Sequence, residues 1–186
     1  VLRMSYYSKL VAETLGMPRE DVETIELAAP LHDLGKIGVP DHILRKSIGL
    51  TLEETKIMQQ HPVIGYEILK NSASKYVRMG ALIALGHHEK FDGTGYPHRL
   101  IGDHIPLPAR IVAIADVYDA LTTKRPYKKA WDTDAALTYL LDHRSTHFDP
   151  DLVDEFVTMR ERIIEIQHEL QDPDPESMQL QEADTL

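Results

Sequence analysis

Apolar residues recur along this chain at intervals of three and four, the spacing that places them on one side of an α-helix. Leu10, Val11 and Leu15 form the first stripe, and Gly16 followed by Pro18 predicts its end. From Asp21 the stretch VETIELAAPLHDLG sets Leu27, Leu31 and Leu34 on one side of a second helix. Pro30 inside it predicts a kink or a break. Thr51 with Glu54 has the form of a capping box, opening a helix that runs to near His61. Pro62 then opens another, carrying Ile64, Ile68 and Leu69. Further helical patterns run over 77–85, 108–122, 133–143 and 150–170. Residues 91–108 (FDGTGYPHRLIGDHIPLP) interrupt the periodicity with glycine and proline, and loops of that length in compact domains are often functional. Period-two alternation is essentially absent. The pattern predicts an all-α fold, a single bundle of about seven helices with one long loop.

Composition narrows this further. At 186 residues the chain fits one domain, read as 1–170, followed by an acidic tail over 171–186 that is expected to be mobile. That tail (QDPDPESMQLQEADTL) holds five acidic and no basic side chains, half of the net charge of −10. So negative a protein is not a broad electrostatic binder of DNA or RNA, whereas a small phosphorylated substrate stays open. The absence of cysteine excludes disulfides, thiolate–zinc sites and thiol nucleophiles, and suits a cytoplasmic setting. No apolar run approaches the ~20 residues of a membrane helix. Metal chemistry must then use carboxylates and the ten histidines.

Four places carry histidine or aspartate where a plain helical core would not want them: His32-Asp33, His61, His87-His88 and Asp116. A lone buried histidine such as His61 is usually a satisfied core residue. Adjacent pairs are harder to accommodate, because two neighbouring side chains must both find polar partners. Asp116 follows the apolar run Ile111 to Ala115 and is expected to be carried inside, where a carboxylate needs a proton, an ion pair or a metal. Asp119, one turn on, either supports it or is exposed. Four histidines and two aspartates exceed the ligands of one metal and suit two metals sharing a carboxylate, for which Asp33 is the natural candidate. Such donors take iron, manganese, nickel or zinc.

Lys36 lies one helical turn beyond Asp33 and is expected to face the same cavity, the alternative being a solvated helix end. Arg125, Lys128 and Lys129 form a basic cluster after the Asp116 helix, either a solvated surface or a phosphate-holding patch, with Arg125 the better donor. Gly93 and Gly95 supply backbone freedom. Tyr96 either stacks on a guanine or packs on the domain. Glu89 and Asp92 are expected to orient ligand histidines from behind. His42, His98, His104, His143 and His168 read as surface or structural residues, His147 stays open, and Asp149 is expected to cap the last helix.

His32-Asp33 with Gly35-Lys36 resembles the signature of the HD phosphohydrolase superfamily. HHEKFDGTGYP, residues 87–97, resembles the motif that names its HD-GYP subfamily, bacterial cyclic di-GMP phosphodiesterases. His61-Pro62 with Gly65, LPARIVAIADVYDALTTKRPYKKA over 107–130 and HFDP over 147–150 follow in the same order, so the resemblance spans roughly residues 1–160. It implies that His32, Asp33, His61, His87, His88 and Asp116 hold a centre of two or three divalent metals, iron or manganese foremost and nickel or zinc compatible. It implies that Lys36 contacts the scissile phosphate and that Arg125 and Lys128 hold substrate phosphate. Gly93, Gly95, Tyr96 and Pro97 match the GYP loop, which implies substrate surroundings or contact with a partner such as a GGDEF-type protein. A hydroxide shared by two metals would open cyclic di-GMP to pGpG and then GMP.

Family members also carry a glutamate and a histidine, four residues apart, on the helix leading into VLRMSYYSKL. Those positions precede Val1, which puts a third metal site in doubt and leads us to expect a longer native protein with an upstream receiver or sensory domain. Two other readings stand beside the phosphodiesterase: an HD phosphohydrolase for another nucleotide, and a regulatory module that binds nucleotide or protein with little turnover. Tyr6, Tyr7, Leu10 and the last helix are candidates for a homodimer interface, with core packing the alternative.

Overall fold

The computed structural model describes residues 1–46, 49–124 and 129–170. Its elements are α1 (Leu2–Thr14), α2 (Arg19–Ala28), α3 (Asp41–Leu44), α4 (Leu52–Met58), α5 (His61–Leu69), α6 (Lys75–Gly86), α7 (Leu107–Thr122), α8 (Thr133–Asp142), α9 (Pro150–Thr158) and α10 (Arg160–Glu169). Among the described residues there is no strand, only two isolated bridges, Asp92 with Ile101 and Arg144 with Phe148. The all-α expectation is met. The short α3 and α4, and a break at Met159 between α9 and α10, take the helices beyond the expected number. Arg125, Lys128 and the acidic tail lie outside the described residues.

α7 is the centre of the bundle. Ile111, Val112, Ile114, Ala115 and Tyr118 are fully buried, as expected of a helix apolar on nearly every side. α1 and α6 pack against it, and edge-on rings of Tyr7, Tyr118 and Phe156 fill the space between α1, α7 and α9. Tyr7 therefore belongs to the core and not to a dimer surface, while Tyr6 is partly exposed. Arg3 clasps α1 to α7: its Nε donates to Asp119 at 2.9 Å and Nη2 to Thr123 at 2.8 Å. Asp119 thus serves this clasp and does not support Asp116.

α2 differs from the expected helix through Leu34. It ends at Ala28, and two 3-10 turns follow, Ala29–Leu31 and Leu34–Gly38. Pro30 has no amide hydrogen to continue an α-helical ladder. The face that packs is also another one: Val22, Ile25, Ala28 and Ala29 are buried, whereas Leu27 is 59% exposed. The shift matters for chemistry, because tight turns instead of a straight helix let consecutive His32 and Asp33 point into one cavity. Gly35 makes the approach to α5 possible. A Cβ there would lie 1.9 Å from the carbonyl oxygen of His61 and 2.5 Å from the nitrogen of Gly65.

Candidate metal centre

His32 and Asp33 come from the turns after α2, His61 opens α5, His87 and His88 follow the end of α6, and Asp116 lies within α7. The bundle brings all six together around Asp33. Its Oδ1 is 3.4 Å from His61 Nε2 and 3.7 Å from His87 Nε2. Its Oδ2 is 3.3 Å from His32 Nε2 and 2.6 Å from Lys36 Nζ. His32 Nε2 in turn lies 3.7 Å from Asp116 Oδ1. Donor atoms of Asp33, His61, His87 and His88 fall within 4.8 Å of one another, a group compact enough to hold one ion. Asp116 is not carried fully inside. Its side chain is 37% exposed, on the open side of the cavity.

Three of the imidazoles are fixed from behind by the backbone. Nδ1 of His32 lies 2.9 Å from the Ala29 oxygen, that of His61 2.7 Å from Met58, and that of His87 2.9 Å from Ala84. A carbonyl oxygen only accepts, so each Nδ1 carries a proton, and in its neutral form each ring aims an Nε2 lone pair at Asp33. His61 and His87 bring their Nε2 atoms to 3.4 Å. Oδ1 of Asp33, buried beside them, has no hydrogen-bond partner among the described residues. A buried cluster of acceptors facing acceptors is unfavourable alone and is what a cation requires.

The titration pattern agrees. Burial opposes the charged form of Asp33, yet hydrogen bonds with His32 and His87 and the charge of His32 hold its carboxyl well below the ordinary range. His32 is also buried, but its bond to Asp33 and the nearby Asp116 outweigh that and raise its pKa. Burial, with the neighbouring His87 and His61, lowers His88 to about 2, and burial lowers His61 as well. His61 and His88 thus resist becoming cations themselves and offer lone pairs. Nitrogen and carboxylate donors in this arrangement fit a divalent metal.

The roof of the cavity is the loop after α6. Tyr96 stacks on His88, ring centroids 4.8 Å apart at 23°, so the packing alternative describes this structure. Gly95 is required there, since a Cβ would meet the Lys90 nitrogen at 2.3 Å. Gly93 has a φ of +82°. Glu89 and Asp92 do not orient ligand histidines. Glu89 accepts from the backbone amides of His98 and Leu100, and Asp92 accepts from the amide and hydroxyl of Thr94. Backbone amides leave no mark in a sequence, which is why this role is illegible there. Asp149 does cap α9, accepting from the amides of Asp151 and Leu152, and Arg110, which sequence reasoning passed over, bonds it at 2.6 Å.

A helical bundle presenting an HD pair, four further candidate donor side chains from other helices and a loop whose tyrosine stacks on one of the histidines defines a class, and the sequence comparison agrees: residues 2–152 match the HD domain family, to which the chain belongs. It is 54% identical over 164 residues to the cyclic di-GMP phosphodiesterase response regulator RpfG of Xanthomonas campestris, covering 88% of this chain and 43% of that protein. It is 41% identical to a cyclic di-GMP phosphodiesterase of Thermotoga maritima, covering 92% of this chain and 47% of that one. A 3′3′-cGAMP-specific phosphodiesterase of Vibrio cholerae is 42% identical, with 86% of this chain and 32% of that protein covered. The chain thus spans less than half the length of these relatives. In structure it resembles a cyclic GMP-AMP-specific phosphodiesterase of V. cholerae, with a TM-score of 0.65 at 16% identity, covering 88% of this chain and 44% of that one, a likeness of fold.

Proposed function

We propose that this chain is the catalytic domain of a metal-dependent phosphodiesterase that hydrolyses cyclic di-GMP to pGpG and onward to GMP. The observation that carries it is the convergence of three backbone-anchored histidines on an Asp33 whose buried Oδ1 is otherwise unpartnered. The two oxygens of Asp33 face different groups, His61 and His87 on one side and His32 with Asp116 beyond it on the other, and with such a division these residues would together hold a centre of two ions. Iron or manganese leads as the metal, with nickel and zinc chemically compatible.

When bound, divalent ions supply Lewis acidity at the phosphorus and a nucleophilic water at neutral pH. The protein's own groups do the rest. Lys36, now on Asp33 Oδ2 and 39% exposed, is placed to donate to a phosphoryl oxygen entering the cavity. Arg125 and Lys128 hold substrate phosphate in this reading. Tyr96 closes one side and keeps His88 from bulk water.

The relatives named for cyclic di-GMP support the substrate, and the one named for 3′3′-cGAMP places that dinucleotide beside it as the second substrate to try. A cytoplasmic location, an upstream receiver domain and contact of the exposed loop with a GGDEF-type partner belong to the same reading. Among the described residues no helix is long and apolar enough to cross a membrane.

Elemental analysis of the purified chain, paired with incubation against cyclic di-GMP and 3′3′-cGAMP, tests it. About two metals per chain with pGpG or GMP released is the expected result. Protein that takes up no iron or manganese and releases no product would overturn it in favour of a binding module.

A further inference from the structure

Glu89 is a charged residue 2% exposed, directly after the ligand pair, and the proposed chemistry makes no use of it. Its backbone amide bonds the Gly86 oxygen at 3.0 Å, which leaves the carboxylate to the loop ahead. Oε1 accepts from the His98 amide at 2.6 Å and Oε2 from the Leu100 amide at 3.0 Å. Between the two ends of that hold lies the cavity roof. Tyr96 N–H donates to His88 O at 3.1 Å, and the Tyr96 ring stacks on the His88 ring. Gly95 sits against the backbone of Glu89 and Lys90 so closely that no side chain fits. Each contact turns the segment back over the end of α6, and among the described residues Glu89 is the side chain that fastens its far end.

A buried carboxylate is retained only where its bonds repay desolvation. Here two charge-assisted bonds to amides do so. Arg110 lines the same small cavity behind the loop with His147 and Asp149, and its own charge is met by Asp149 and Asp103. Neither Glu89 oxygen has a described bond to His87 or His88, so the residue acts on the loop and not on the ligands.

We infer that Glu89 is a positioning residue that pins the backbone at His98 and Leu100 and so holds Tyr96 as a wall of the substrate cavity, making the site selective for a large cyclic dinucleotide without contributing to metal binding. The inference rests on the phosphodiesterase reading for its substrate. It separates two jobs: the histidines and aspartates hold metal, and the Glu89-pinned wall holds the nucleotide. A small diester needs the first and not the second.

The test is Glu89→Gln, nearly isosteric, which keeps one acceptor but turns an NH2 group toward the second amide. Metal content, kcat and KM for cyclic di-GMP, and turnover of bis(p-nitrophenyl) phosphate are measured on the metal-loaded protein. Expected are unchanged metal content, bis(p-nitrophenyl) phosphate turnover within about twofold, and KM for cyclic di-GMP raised roughly tenfold or more. In a double-mutant cycle with Tyr96→Ala, the KM effects should be strongly non-additive. Equal loss of both activities together with metal, or no change in either, would overturn the inference.

Peptide-level hydrogen exchange over 95–102 keeps its failure apart from that of the phosphodiesterase reading. Faster exchange there in Glu89→Gln, with the helices unchanged, supports the pin even if neither diester is a substrate. Identical exchange sinks it whatever the activity.

Discussion

Nε2 of His61 and Nε2 of His87 lie 3.4 Å apart while each ring donates its other nitrogen's proton to a backbone carbonyl. Two lone pairs held face to face across a buried gap, with Asp33 Oδ1 beside both, repel unless a cation sits among them. The backbone has in effect chosen the metal-binding tautomer before any metal arrives.

Metal should therefore act as a folding ligand. Stripping the protein with chelator is expected to lower its melting temperature, and adding ion to a hundredfold excess over Kd should restore about 2.7 kcal/mol, roughly 5–10 °C for a domain of this size. The double variant His32→Ala, Asp33→Ala should lose both that shift and hydrolysis. Calorimetry with and without metal makes the check, and a double variant that keeps full activity removes Asp33 from the mechanism.

Gly35→Ala should be among the most damaging single-methyl changes in the chain. The added Cβ would meet the His61 backbone oxygen at 1.9 Å, and backbone cannot swing aside as a flexible side chain can. A loss of about 3 kcal/mol is expected, with reduced metal affinity because the Asp33 turn and the His61 helix are pushed apart. Denaturant titration beside metal titration reports both.

Acid stability should depend on His147. Burial foremost, with Lys90 and His143 nearby, lowers it to about 4. The unfolded chain takes up a proton near 6.5 while the folded one resists it down to about 4, so folding is disfavoured progressively across that window. Above pH 6.5 the group is neutral in both states and contributes nothing. His147→Gln should flatten the stability profile between pH 6.5 and 4 relative to wild type, by about 1–2 kcal/mol after allowing for partial solvation. Parallel profiles for the two proteins would contradict this.

Asp149→Ala removes the cap of α9 and abandons Arg110, whose side chain is only 13% exposed. A cap contributes about 1 kcal/mol, and the largely buried guanidinium would keep only its bond to the exposed Asp103, so about 2 kcal/mol is expected, chiefly as faster unfolding. Asp149→Asn, which keeps a capping oxygen, should recover part of the loss.

The sequence by itself determined the helical class and picked out the six histidines and aspartates that converge on one cavity, because helical periodicity and residue chemistry are local properties. Thr51 with Glu54 forms the expected capping box, and Asp149 caps its helix, since both bonds close within three residues. Only the tertiary structure decided what depends on segments far apart in the chain. It converted the expected helix through Leu34 into turns at Pro30, which let His32 and Asp33 address one cavity. It left Asp116 half open to solvent, took Asp119 into the Arg3 clasp, and turned Glu89 from the histidines to the loop amides. Each of these is a choice among partners whose strengths are similar. Such choices are settled by distance, which packing sets and residue order alone does not.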